Sequence, residues 1–260
     1  MVTAKIGKHM VQMYDGIDEL PIVRFHKYQK LLLVDSGIGA DIAAFDQRME
    51  KTRRFLMAGK SEQAQKELAN MRQCVWLIQQ GINPKHRAFA VLVKSIDGRD
   101  FEPTTDDVVD AILEILNDVP INELTDRLDS VKKKIDDELL LYFPALFNSS
   151  DVKEYYDLLR KRTLAVLENI IAGVDDPGNA ANVDRITTEL ITYANPQIFS
   201  GSDGVEIQHD RNFENLCLAL SENLHVDPKK YTILEFYNAF DFLRDRAQKA
   251  EQAKKGPYKR

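Results

Sequence analysis

The chain has 260 residues, 44% of them apolar and 29% charged, and a net charge of −6. That is long enough to bury a proper core and ordinary for a folded protein, and twelve Gly and nine Pro are too few for a collagen-like or low-complexity chain. The mild acidity argues against a general nucleic-acid binder, and no apolar run approaches the roughly eighteen residues of a membrane span.

The N-terminal stretch Met1 to Met13 carries Lys5, Lys8 and His9 but no continuous apolar core, so no secretory signal is expected. Cys74 and Cys217 are the only cysteines, each inside an amphipathic pattern, which points to free thiols and a reducing cytoplasm. The turn-rich segment Tyr14 to Pro21 leads into Ile22, Phe25, Tyr28 and Leu32 at helical spacing, with Pro21 suited to a helix's first turn. Asp35-Ser-Gly-Ile-Gly39 reads as a break. From Asp41 to Ala58 the apolar positions Ile42, Phe45, Met49 and Leu56 recur at three- and four-residue steps. From Ser61 to Gln80 the set is Ala64, Leu68, Met71, Val75 and Ile78. That period predicts two helices whose matching stripes form the seam of an antiparallel pair, turned near Gly59 and closed by Gly81.

His86 to Ile96 places Phe89, Leu92, Val93 and Ile96 on one helical face, ended by Gly98. Phe101 to Thr104 reads as a hinge. Thr104 or Thr105 caps the next helix, where Asp106 and Asp107 favour the positive end of the dipole and Val108, Ile112, Ile115 and Leu116 form the stripe. Pro120 opens a long helix with Leu124, Leu128, Val131, Ile135, Leu139 and Tyr142 inward, and Pro144 stops it. Ser149 or Ser150 starts another, with Val152, Tyr155, Leu159, Val166 and Ile170 inward until Gly173. A turn at Asp175 to Gly178 and a short helix from Val183 to Ala194 follow.

The one predicted β element is a short hairpin or irregular loop at 198–207, where Gly-Ser-Asp-Gly separates two apolar ends. Asn212 then caps a helix with Phe213, Leu216, Cys217, Leu220 and Leu224 inward. Thr232-Ile-Leu-Glu235 has the form of a capping box opening a last helix. The expected fold is all-α, built of antiparallel helical hairpins and a bundle. It divides into an N-terminal hairpin region (1–100), a middle bundle (104–195) and a C-terminal helical pair with a basic tail (210–260).

Residues that could carry chemistry are scattered. Leu32 to Ala40 offers Gly-x-Gly after an apolar run, but Ile42 stands where a dinucleotide fingerprint needs Gly or Ala, and no strand–helix alternation follows. Its Asp-Ser-Gly-Ile-Gly also resembles the opening of glutamate racemases. The cysteine motifs of those enzymes are absent here, and the fragment reads as an inter-helix turn. The histidines at 9, 26, 86, 209 and 225 never pair at the i,i+4 spacing of a helical zinc site. His209, Asp210 and Asp203 read as parts of one solvated loop. Neither a catalytic residue nor a metal or cofactor site is assigned. Charge is unevenly spread: residues 21–72 carry ten Lys or Arg against six Asp or Glu, and residues 101–150 four against twelve. This gives two differently charged solvated surfaces, with head-to-tail contact between copies or an acidic face that receives a basic partner as the sharper alternatives. The tail cations Lys249, Lys254, Lys255, Lys259 and Arg260 read as a soluble end, with an acidic partner or phosphate as the sharper alternative. The aromatic residues of the last helix, Phe236, Tyr237, Phe240 and Phe242, lie on more than one of its faces and are the candidate partner-binding residues.

One resemblance bears on function. Leu216-Cys-Leu-Ala-Leu-Ser221, Val226-Asp-Pro228 and Thr232-Ile-Leu-Glu-Phe-Tyr237 resemble the C-terminal part of tail-assembly chaperones of long-tailed bacteriophages, about an eighth of the chain. Tyr14 to Pro21 and Glu138 to Pro144 are similar to segments of uncharacterised virion-module proteins of gut phages. The resemblance implies a non-enzymatic protein that shields the apolar helices of a tape-measure protein in the host cytoplasm. Its partner would be that helical protein or copies of itself, with no membrane. A stable virion component is a further reading. The competing one is a metal- or carboxylate-dependent enzyme with a site dispersed over facing helices.

Overall fold

The computed structural model describes residues 1–103, 105–147, 151–172, 177–193 and 195–255. Thr104, Ser149, Ser150, Gly173, Asp175, Lys259 and Arg260 lie outside the described residues, as do the side chains of Val152, Tyr155, Lys254 and Lys255. The described chain is mostly helical, with one small antiparallel sheet. It forms two compact units, each assembled from separate stretches. The first takes Met1–Ser36, Asn83–Pro144 and Glu206–Arg260, the second Gly37–Ile82 and Ala145–Val205.

In the first unit the sheet is the main departure from an all-α expectation. Strands β1 (Val2–Ile6), β2 (His9–Met13), β3 (Val93–Ile96) and β4 (Arg99–Asp100) pair in that order, each antiparallel to the next. β3 and β4 are joined by Asp97 and Gly98 at φ +51° and +83°, the geometry of a two-residue hairpin turn. Asp97 also accepts from the Met10 N–H at 2.8 Å and meets His9 Nδ1 at 2.6 Å, which ties the turn to β2. The helix expected over 86–96 therefore stops early. Helix α4 (Pro84–Leu92) is capped by Asn83, whose side chain accepts from Lys85 and His86, and passes straight into β3. Val93 and Ile96 fit a helical face as well as a strand, and pairing with β2, some eighty residues away, decides between them.

Helices α1 (Ile22–Gly37), α5 (Asp106–Ile115), α6 (Ile121–Tyr142), α10 (Val205–Leu224) and α11 (Ile233–Lys255) complete this unit, α1 running on to Gly37 through the expected break. α6 buries Leu124, Leu128, Val131, Ile135 and Leu139, the stripe its spacing predicts, whereas Tyr142 is exposed. Arg24 of α1 is buried and donates to the carbonyls of Val93 (2.8 Å) and Phe101 (2.6 Å), with its guanidinium 4.9 Å from the Tyr14 ring centre. A buried cation is tolerated only with such partners. The capping box forms: Thr232 Oγ1 accepts from the Glu235 N–H, and Glu235 Oε2 accepts from the Thr232 N–H at 2.9 Å. Its helix is pinned by N–H groups of Ile233 and Leu234 donating to Leu20 and Ile17.

In the second unit, α2 (Ile42–Met57) and α3 (Ser61–Gln79) pack side by side. The link Ala58–Lys60 leaves α3 no course but back along α2, and Cys74 near the end of α3 meets the Asp41 carbonyl at the start of α2. Of the expected stripes, Ala64 is buried and Phe45 and Met71 are half-buried, but the other members face outward. The buried residues are Arg48, Thr52, Arg54 and Phe55 on α2 and Ala64, Glu67, Asn70, Cys74 and Leu77 on α3. Of the expected seam, Ile42 is 72% exposed, Met49 51%, Leu56 58% and Leu68 45%, and Val75 and Ile78 are exposed too. The inner faces instead close a polar cluster, in which Arg48 donates to Glu67 Oε2 at 2.9 Å and to the Ile38 carbonyl at 3.0 Å. The other side of α2 is held to α9 (Pro177–Tyr193) by Arg54, which pairs with Asp184 Oδ1 at 2.8 Å and donates to Thr188 Oγ1 at 2.7 Å. α9 packs on α8 (Asp151–Ala172), which follows the one-turn helix α7 (Pro144–Phe147) in the chain, through Ala165, Ile186 and Leu190, with Leu158, Leu159 and Val183 around them. Ile170, expected inside, is 69% exposed.

Two further expectations fail here. The segment 198–207 holds no strand: Gly204 N–H donates to Gly201, Val205 N–H donates to Ile198, and the loop closes on itself before α10 begins at Val205. Gly201 at φ +88° allows that tight closure where a ladder would need extended backbone. Asn212 consequently lies inside a helix rather than at its cap, and His209 and Asp210 lie on a helix face rather than in a loop.

Candidate functional site

The first unit brings together groups that are far apart in sequence. His26 of α1 sits between two rings of α10. His209 stacks on one side at 4.4 Å between ring centres and Phe213 on the other at 4.1 Å, both within 11° of parallel. His209 and Phe213 are four apart and so project from one helix face. Asp210 joins the clamp: Oδ1 is 2.9 Å from His26 Nε2, and Oδ2 accepts from Lys30 Nζ at 2.7 Å. His26 and Lys30 are again four apart on α1. Two i,i+4 pairs on facing helices thus interlock.

Burial lowers the His26 pKa, against the pull of Asp210, and the neighbouring His209 adds to the lowering. Burial likewise lowers His209. Burial pushes Asp210 upward, but hydrogen bonds from Lys30 and His26 outweigh it, so its carboxyl stays below the usual range. At neutral pH the stack is two uncharged imidazoles, with one charged pair at its edge. Burial also raises both thiols, Cys74 and Cys217, the opposite of what a thiolate nucleophile needs. Among the described residues, no group of three or more His, Cys, Asp and Glu side chains is placed to hold a metal ion.

The ring stack continues into α11. Phe213 meets Phe236 at 6.0 Å, Phe236 meets Tyr237 edge-on at 5.6 Å, and Tyr237 meets Phe143 at 5.5 Å. Phe236 is buried, and burial raises the Tyr237 hydroxyl to about 12. These two candidate partner residues therefore face rings of their own unit. Phe240 is half-buried, and Phe242 is 58% exposed. Compared with family models, curated proteins and solved structures, the chain has no match.

The geometry also includes a groove. Leu216, Ala219 and Leu220 of α10 face Phe240, Leu243 and Ala247 of α11 across an open cavity of about 550 Å³. Each set follows helical spacing, so the groove runs between the two helices. Asn223, Arg244 and Arg246 stand along it, with Arg244 paired to Asp241 at 3.0 Å. Phe240 is the candidate partner residue that lines this groove. The sequence marks it only by aromatic excess on the last helix. The His26–Asp210 contact spans 184 residues and has no signature in the linear chain.

Proposed function

We propose that the protein is a non-enzymatic, phage-type assembly or structural protein that works through helix-to-helix contacts with another protein. The observation that carries this reading is the open apolar groove between α10 and α11. An amphipathic helix lays its apolar face into such a groove, anchored at i, i+3 and i+7 positions. A tape-measure protein is rich in helices of that kind, and Arg244 and Arg246 suit acidic residues on the flanks of such a helix. The reading supplies a reason for the open groove beside the ring stack. As a tail-assembly chaperone, the protein would keep such helices from aggregating in the host cytoplasm until the tail forms around them. A bundle-like arrangement of paired helices, with their faces open to partners, belongs to the same reading.

The test is co-expression with the tape-measure protein of the same genome. Ala219 and Ala247 are exposed on the groove walls, so Ala219→Glu with Ala247→Glu fills the groove with charge and leaves the core untouched. The wild-type chain is expected to keep the tape-measure protein soluble and to co-elute with it, and the double variant to lose both properties while keeping its helical circular dichroism. Equal solubility with either chain would remove the groove from the mechanism.

A further inference from the structure

One stripe of α10 serves two neighbours. His209, Phe213, Leu216 and Leu220 follow at four-, three- and four-residue steps, so they share one face of the helix. The first half of the stripe closes on α1, with His26 held between His209 and Phe213. The second half, Leu216 and Leu220, stands as a groove wall opposite Phe240 and Leu243 of α11. Phe213 joins the halves, stacked on His26 and 6.0 Å from the Phe236 ring. How α1 holds the start of α10 therefore sets where the groove wall stands.

We propose that the His26–His209 stack is an acid-released latch: protons entering it free the first half of α10 from α1, and the groove loses its grip on a bound helix. The coupling to a bound helix rests on the proposed function of the groove, whereas the latch itself does not.

The hydrogen bonds fix where the protons enter. Asp210 Oδ1 and the His26 carbonyl can only accept, so His26 and His209 each donate through Nε2, at 2.9 and 3.4 Å. A further proton on either ring goes to Nδ1, and the rings lie 4.4 Å apart and within 9° of parallel. A first proton finds partners, because His26 already has the Asp210 carboxylate and the Phe213 ring face. A second puts like charges on stacked rings, and His209 bonds to a carbonyl where a cation needs a carboxylate.

The surrounding charges come from two helices. On α1, Lys30 opposes protonation of both histidines, and on α10 Asp210 favours it. Burial outweighs these influences and holds both histidines below their ordinary value, so the closed latch resists protons that the open one accepts. Glu206 of α10, near Lys30 and Asp210, works the other way. Burial raises its carboxyl, so acid favours the closed form there, an effect complete only below 4.5. Glu214, one turn beyond Asp210, is taken by Lys229 at 2.8 Å. α11 brings the Phe236 and Tyr237 rings, and the Tyr237 hydroxyl stays neutral to about 12.

The experiment is hydrogen–deuterium exchange of the full chain at pH 7.0 and 5.5, with rates corrected for intrinsic exchange. Taking 6.5 for each histidine in the open form, two excluded protons ease opening up to roughly 70-fold across that interval, and one up to about 8-fold. Protection should fall along 205–213 and hold along 128–139 of α6, which separates latch opening from a general loss of stability. His209→Phe keeps a ring on His26 and should leave at most the one-proton change. A helix bound in the groove should leave faster at pH 5.5 by a similar factor. A change below about threefold, one shared equally by α6, or one undiminished in His209→Phe would overturn the latch. Acid-exposed α10 with unchanged helix release would overturn its coupling to the groove. If no helix binds at either pH, the groove reading fails and exchange in 205–213 alone decides the latch.

Discussion

Glu67→Ala should be among the most damaging single substitutions in the second unit. The Glu67 and Arg48 side chains are only 4% and 8% exposed, and the contact at 2.9 Å satisfies two charges that water cannot reach. Without the carboxylate, Arg48 keeps the Ile38 carbonyl but remains a buried cation short of its counter-ion. Lys51 makes this worse. Burial and Arg48 already lower its pKa, and Glu67 is the group that raises it. Breaking one side of such a pair costs about 3–5 kcal/mol. Replacing both partners by apolar residues of similar size removes the charge problem. Arg48→Met with Glu67→Leu should therefore lie within about 1–2 kcal/mol of wild type, the remainder being the orphaned Ile38 carbonyl. Urea unfolding followed by the fluorescence of Trp76, the single tryptophan, reads the second unit directly. A Glu67→Ala cost below about 1 kcal/mol, or a double variant worse than either single one, would refute a buried pair that organises the inner face.

Gly37→Ala should also destabilise. A Cβ there would lie 1.9 Å from Cζ of the Phe199 ring, which is 5% exposed and has little room to retreat. The overpacking should cost about 2 kcal/mol after any gain in helix propensity, and Phe199→Leu added to it should recover part of the loss in the same urea titration. Stability should fall as the pH drops from 7 to 5. Burial lowers His26, His86 and His209 alike. Below about pH 6.5 the unfolded chain therefore takes up protons that the folded chain resists. The slope has the opposite sign to that of a histidine gaining a partner. His209→Phe keeps a ring over His26 and should flatten the slope; an unchanged slope would place the pH response elsewhere.

How far the sequence reveals the structure depends on what decides each element. The α6 stripe and the Thr232–Glu235 capping box rest on local periodicity and local hydrogen bonds, and both appear as the residues imply. The sheet rests on pairing between β2 and β3, which a local window does not contain, and its strands are no longer than five residues. The α2 and α3 stripes mislead for another reason. Periodicity shows that an apolar face exists but not which surface covers it. Here the inner face belongs to Arg48, Thr52 and Glu67, because their mutual bonds satisfy groups that could not be buried apart. At the candidate site, the aromatic excess of the last helix leads to Phe240 and its groove. The His26 clamp depends on residues that only the fold brings together.

Hydrogen–deuterium exchange of the full chain, alone and with a helical segment of a tape-measure protein, the partner proposed above, tests most directly whether the molecule works by receiving a helix. Protection should grow along 216–224 and 240–250, the two walls of the groove, with the His26 clamp unchanged. Exchange that is identical in those segments with and without the helix would contradict the proposed function.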